Sequence, residues 1–188
     1  MAINFINQGK LDEAETIYRD LIDQGLYSHE VYGNLGTILG EKGDLENAVW
    51  FLQKAIELKP NHPDAYINLG NIMTGKGCFE EAIDSYQKAL KIKPNHSIAF
   101  LNLGIAQQGL GNLNSAILSY KKALEINPNR PDTCNSLGLA LKKVGKFDSA
   151  IAYFNQALRL NPRFCAAYIN LGNLLKEQGK LPSAIDIL

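Results

Sequence analysis

The sequence carries no excess charge of either sign: Lys plus Arg and Asp plus Glu number 19 each, a formal net charge of zero. A general binder of nucleic acid or of anionic membranes needs a basic excess, so neither partner is expected, although a local patch would be compatible. Cysteine is scarce. Cys78, Cys134 and Cys165 are odd in number and form no CxxC, which argues against a disulfide framework or a zinc site and for a reducing, cytoplasmic setting. Long apolar runs are missing too. Nothing approaches the roughly 18 residues a membrane span requires. The opening Met1-Ala2-Ile3-Asn4-Phe5-Ile6-Asn7 has neither the basic stretch nor the apolar run of a targeting segment. No Ser-His-Asp spacing, HExxH or paired carboxylates stand out, so the expectation is no enzyme and no cofactor.

What the sequence has is a repeat. Apolar residues make up 46% of 188 residues and charged residues 20%, so a buried core is attainable. The string Tyr32-x-x-Leu35-Gly36 returns every 34 residues, as Tyr66/Leu69/Gly70, Phe100/Leu103/Gly104, Cys134/Leu137/Gly138 and Tyr168/Leu171/Gly172. Gly43, Gly77, Gly111, Gly145 and Gly179 follow the same step. So do Ala14 through Ala184, Ala55 through Ala157, and Pro60, Pro94, Pro128 and Pro162.

Each series has a physical reading. Tyr32, Leu35, Gly36 and Leu39 lie at i, i+3, i+4 and i+7, one face of a helix A. Gly36 is small enough to let a neighbouring backbone approach, and Gly43 ends the helix in a left-handed turn. Ala48, Leu52, Ala55 and Ile56 form the apolar stripe of a helix B, which Pro60 stops. Pro63 and Pro131 fit the first turn of the next helix A, where a missing N–H costs little.

These residues resemble the tetratricopeptide repeat (TPR) family, whose 34-residue pattern sets an aromatic, Leu-Gly, a large residue, Ala, an aromatic, Ala and Pro in that order. The resemblance covers essentially the whole chain. It implies an all-α, right-handed superhelical solenoid of antiparallel helix hairpins. The expected organisation is a single array over 1–188: a partial repeat 1–28, full repeats 29–62, 63–96, 97–130 and 131–164, and a partial repeat 165–188. Departures are small: Cys134 replaces an aromatic, Gln107 replaces a large apolar residue, and Leu26 stands where later units have proline. Met1 falls inside a helix A and Leu188 inside a helix B, with no polar capping helix. The expectation is therefore a fragment of a longer protein, or ends covered by partners or by copies.

The resemblance and solenoid curvature put the polar side of helix A on the concave surface. Asn34 points roughly 150° from the apolar face, and Glu30, Thr37 and Glu41 share that side. The position repeats as Asn34, Asn68, Asn102, Ser136 and Asn170. Asparagine is a poor helix former, yet its amide can donate to a peptide carbonyl and accept from a peptide N–H. A row of them could clamp an extended peptide without reading its sequence, similar to the asparagine rows of the TPR regions of O-GlcNAc transferases. The plainer reading is descent from one duplicated unit facing water. On the first reading, changing Asn68 and Asn102 to Ala weakens a bound peptide and leaves thermal stability nearly unchanged.

Other positions on this face diverge and would set specificity: Asp64 and its equivalents, and Thr37, Asn71, Ile105, Leu139 and Asn173. Ile67, Ile98, Leu101, Ile105 and Leu139 form either an exposed apolar strip or packing between neighbouring A helices. Some members of the family grip carboxylates with Lys and Arg on successive A helices, but the matching positions here hold Glu30, Gly33, Asp64 and Ile67. That clamp is missing. Lys142, Lys143 and Lys176 lie near A-helix C-termini, where the dipole favours cations.

Three features are decoys. Gly70 to Gly77 almost spells a phosphate loop but lacks its Ser or Thr and follows helical spacing. His62 and His96 occupy one loop position a repeat apart, too distant to share a zinc. Asn95-His96-Ser97 fits a sequon without a secretion signal. The expected function is a protein-interaction scaffold binding an extended peptide or partner protein. The alternatives are the recognition arm of a larger enzyme, such as a glycosyltransferase, and self-association through uncapped ends.

Overall fold

A computed structural model describes residues 9–179. Among them the chain is entirely helical, with α1 Leu11–Asp23, α2 His29–Glu41, α3 Leu45–Leu58, α4 Pro63–Gly75 and α5 Phe79–Ile92. These are followed by α6 Ser97–Gly109, α7 Leu113–Ile126, α8 Pro131–Lys143, α9 Phe147–Leu160 and α10 Cys165–Glu177. The even-numbered helices are the A helices, and they begin on residues 29, 63, 97, 131 and 165, the repeat boundaries expected from the period. The two ends of the chain, residues 1–8 and 180–188, are not among the described residues. The expectation of uncapped ends therefore lies outside the described residues.

The chain divides into two compact units, residues 1–94 and 95–188. In the first, α2 packs on α3 and α4 on α5 as hairpins, with α1 against α2 and α3 against α4. Its core joins Ala14, Tyr18, Leu35, Leu39, Ala48, Leu52 and Ile72. In the second, α6–α7 and α8–α9 are the hairpins and α10 packs on α9, around Leu101, Tyr120, Leu137, Phe154 and Leu171.

Local chemistry sets the helix ends. Ser28 Oγ accepts from the Val31 N–H at 3.3 Å, capping α2. Pro63 and Pro131 open α4 and α8 as expected. Gly43 has φ +86°, and around it Asp44 N–H donates to Leu39 O and Gly43 N–H to Gly40 O. This is a Schellman turn, and it satisfies carbonyls the helix leaves open.

The glycine inside helix A works differently from repeat to repeat. At Gly36 an added Cβ would meet Leu52 Cγ at 2.8 Å and the Ala48 carbonyl at 3.1 Å, so a backbone does approach there. At Gly70, Gly104 and Gly138 the close neighbour is instead the ring edge of Tyr86, Tyr120 or Phe154, at 2.5–2.6 Å from such a Cβ. That edge of the helix B ring occupies a gap that only glycine leaves.

Burial lifts the phenol of Tyr86 to about 12 and pushes that of Tyr120 up as well. In the unfolded chain these phenols ionise near 10. Above that pH the unfolded state loses protons that the folded state keeps, so stability must fall as pH rises. The fold is expected to lose stability progressively between pH 10 and about 12, with Tyr86 alone contributing on the order of 2–3 kcal/mol. Urea midpoints by circular dichroism across that range check it. Midpoints that stay flat would refute it.

The decoys resolve simply. Gly70–Gly75 belongs to α4, not to a strand, and His96 Nδ1 accepts from the Ala99 N–H to cap α6. His62 stacks edge-on to His29, with ring centroids 5.1 Å apart. Cys134 is fully buried, and burial pushes its thiol up to about 11. Among the described residues no group of three or more His, Cys, Asp or Glu could hold a metal ion. No described helix is long and apolar enough to cross a membrane.

Candidate functional site: a cleft between successive A helices

Within the first unit, the C-terminal halves of α2 and α4 border an open cleft of about 350 Å³. Thr37, Gly40 and Glu41 line it from α2, Leu45 from the start of α3, and Asn68, Asn71, Ile72 and Gly75 from α4. The α4 residues are i, i+3, i+4 and i+7, so a single helical stripe forms that wall. Three of the expected site residues, Thr37, Asn68 and Asn71, thus converge on one space. Gly40, Leu45, Ile72 and Gly75 were not expected. The helical stripe through Asn68 was the signal that would have found two of them.

The polar groups of the cleft are fixed from behind. Asn68 Nδ2 donates to Thr37 Oγ1 across the two A helices at 2.8 Å. Thr37 Oγ1 in turn donates to the Gly33 carbonyl at 2.8 Å. Tyr86 Oη donates to Asn71 Oδ1 at 2.8 Å and lies 3.1 Å from Thr74 Oγ1. A phenol with a raised pKa therefore stays protonated and holds the Asn71 amide in one orientation.

The asparagine row is less open than its periodicity suggests. Asn34 Nδ2 donates to Tyr18 Oη of α1 at 2.9 Å. Asn170 Nδ2 donates to Asn135 Oδ1 of α8 at 2.9 Å, and Ser136 Oγ returns to the Asp132 carbonyl of its own helix. Asn34, Asn68, Asn102, Ser136 and Asn170 are all half-buried. At Asn34, Asn68 and Asn170, one N–H of the amide joins neighbouring helices. Asn68→Ala therefore forfeits a hydrogen bond of about 0.5–1.5 kcal/mol, rather than leaving stability untouched.

The remaining expected residues separate. Asp64 is exposed in the first turn of α4 and is not among the cleft residues. Asn173 is exposed on α10, and Ile105 is 41% exposed on α6. The apolar strip divides between its two readings: Ile67 and Leu101 are buried, whereas Ile98 and Ile105 face outward.

Stacked two-helix repeats with an open A-helix cleft define a protein-interaction scaffold. Profiles described as tetratricopeptide repeat match residues 62–129, 131–164 and 153–186, and one described as TPR repeat matches 36–77. The chain belongs to the tetratricopeptide repeat family. Among solved structures it is similar to MamA, at 26% identity and TM-score 0.78, covering 87% of this chain and 95% of that one. It is also similar to YrrB, described as a TPR protein with an unusual peptide-binding site, at 25% identity and TM-score 0.73, covering 90% and 88%. PilF of Pseudomonas aeruginosa shares the fold at TM-score 0.87 and 18% identity, over 99% of this chain and 85% of that one. No curated protein sequence matches the chain.

Proposed function

We propose that this chain binds an extended peptide segment of a partner protein along its A helices, with the cleft between α2 and α4 as the principal contact. The observation that carries this reading is the convergence of Thr37, Asn68 and Asn71 on a cleft whose floor is Ile72 and Leu45. An apolar floor with a few oriented amides suits a peptide side chain flanked by backbone hydrogen bonds. Asn34 and Asp64 are further polar positions on the A helices of this unit, and Asn102, Ile105, Ser136, Asn170 and Asn173 are the corresponding polar and variable positions in the second unit. The likeness to YrrB supports a peptide as the ligand class.

Gly75 provides the test. A Cβ there meets nothing within 4 Å, although the residue lines the cleft. Gly75→Phe should fill the cleft while leaving the thermal midpoint unchanged or higher, because any side chain lowers the entropy cost of glycine in a helix. Peptides selected from a random library on the wild-type chain are expected to bind this variant at least roughly tenfold more weakly, the loss of about 1.4 kcal/mol. Undiminished binding of every selected peptide would remove the cleft from the function.

A further inference from the structure

The end of the partial repeat and the first full repeat carry exposed aromatic hydrocarbon that other repeats lack at the same places. Tyr27 is 61% exposed, Leu26 52% and Trp50 49%. The rings are assembled: Tyr27 stacks on Tyr32 with centroids 6.3 Å apart, and Tyr32 meets both Trp50 (6.3 Å) and Phe51 (5.9 Å). The other repeats show what the architecture itself needs at these places. Leu26-Tyr27 corresponds to Pro60-Asn61, Pro94-Asn95, Pro128-Asn129 and Pro162-Arg163, and Trp50 to Asp84, Leu118 and Ala152. Proline-polar pairs and an aspartate serve equally well in the same backbone, so the aromatics answer to something other than packing. A contiguous exposed aromatic patch marks an interaction surface.

The chemistry of the occupant follows from charge. Residues 1–94, the first unit, hold 14 Asp or Glu against nine Lys or Arg, a formal charge of −5, while residues 95–188 carry +5. The neutrality of the whole chain hides this asymmetry. Beside the aromatic patch, α3, α4 and α5 border a groove lined by Gln53, Glu80, Glu81 and Asp84, by Tyr66 and Met73 of α4, and by Lys88, which pairs with Asp84. Gln53 lies one turn from Trp50 on α3, and Asp84 is the residue one repeat on from Trp50, so patch and groove are continuous. Trp50 already takes a cation on its ring: Lys54 Nζ lies 5.8 Å from the centroid.

We infer that this outer face of the first unit is a second docking surface, for an extended Arg- or Lys-bearing segment of a partner protein. Cationic side chains stack on Tyr27 and Trp50, and others enter the acidic groove. Ring quadrupole and carboxylates both favour positive charge, and they act together where the ring is half-desolvated. This surface is built from α3, α5, the loop before α2 and the sides of α2 and α4 that bear Tyr32 and Tyr66, and it shares no lining residue with the cleft between A helices.

Trp50 is the only tryptophan in the sequence, so its fluorescence reports directly on the patch. The full chain would be titrated with a short synthetic peptide alternating Arg and Pro, and with counterparts carrying Ser or Glu in place of Arg. The Arg peptide is expected to change Trp50 emission saturably, with an affinity that falls as salt screens the charges. Glu81→Lys with Asp84→Lys, and separately Tyr27→Ser, should each weaken it roughly tenfold. All three positions are exposed, and an unchanged melting midpoint verifies the fold. Gly75→Phe should bind the Arg peptide like wild type, which separates failure here from failure of the cleft. Equal binding of the Ser peptide, no saturable change with the Arg peptide, or a change that tracks protein rather than peptide concentration (a second copy on the patch) would each overturn the inference.

Discussion

Gly138→Ala is expected to cost the second unit about 2 kcal/mol, although alanine is the better helix former. Two effects oppose each other. Replacing glycine inside a helix gains up to about 1 kcal/mol. Against that, the new methyl would stand 2.6 Å from Phe154 Cε1 and 2.8 Å from Cδ1. Phe154 is fully buried in the unit's core, so the ring has no empty space to enter. Overpacking of this kind typically costs about 1–3 kcal/mol and can exceed it, so the clash wins. The comparison at Gly75, where the Cβ meets nothing, isolates the cause: the same substitution there should stabilise. A shorter partner should relieve the strain, so Phe154→Leu with Gly138→Ala should be less destabilised than the sum of the two single changes, by roughly 0.5–3 kcal/mol. Urea denaturation of the three variants measures it. Additive losses, or a Gly138→Ala chain as stable as wild type, would show that the ring does not rest on the glycine.

That contact also marks where sequence reasoning stops. The 34-residue period was legible because each repeated residue answers a local demand. Gly43 must adopt φ +86°, Pro63 fits a first turn, and Ala48 must be small to be fully buried. Which atoms fill the gap over the glycine was not legible. The partner comes from the helix B of the same repeat, and it is Leu52 in one unit and an aromatic ring in the next three. The asparagine row shows the same limit. Its spacing was plain, but the groups that receive its N–H protons were not. Asn68 reaches Thr37 across 31 residues, and Asn34 reaches Tyr18 across 16. Periodicity predicts where a side chain sits on its helix. It does not predict what an adjacent, diverged repeat presents to it. The apolar strip divided for this reason: Leu101 turned into the core of its unit, while Ile98 and Ile105, on the same helix, faced out.

Tyr86 joins the core to the cleft, and its substitutions should separate the two roles. Tyr86→Ala removes a ring that is 1% exposed and lies against Gly70. The cavity and the lost transfer energy together should cost about 3–5 kcal/mol, a substantial share of the roughly 5–15 kcal/mol that holds a domain folded. Tyr86→Phe keeps the ring over Gly70 and deletes only the hydroxyl that donates to Asn71 Oδ1 and lies beside Thr74 Oγ1. Its stability cost should be only about 1 kcal/mol. Its effect on binding should be larger than that cost suggests, because the Asn71 amide then loses a donor that helps to orient it in the cleft. A side chain held in one rotamer gives up less entropy when a ligand arrives, by about 0.5–1.5 kcal/mol. The expected pattern is a small shift in urea midpoint accompanied by a several-fold loss of affinity for cleft-selected peptides, although Tyr86 does not line the cleft. If Tyr86→Phe binds those peptides as wild type does, the orientation of Asn71 is irrelevant to the ligand. The polar wall of the cleft would then reduce to Thr37, Glu41 and Asn68.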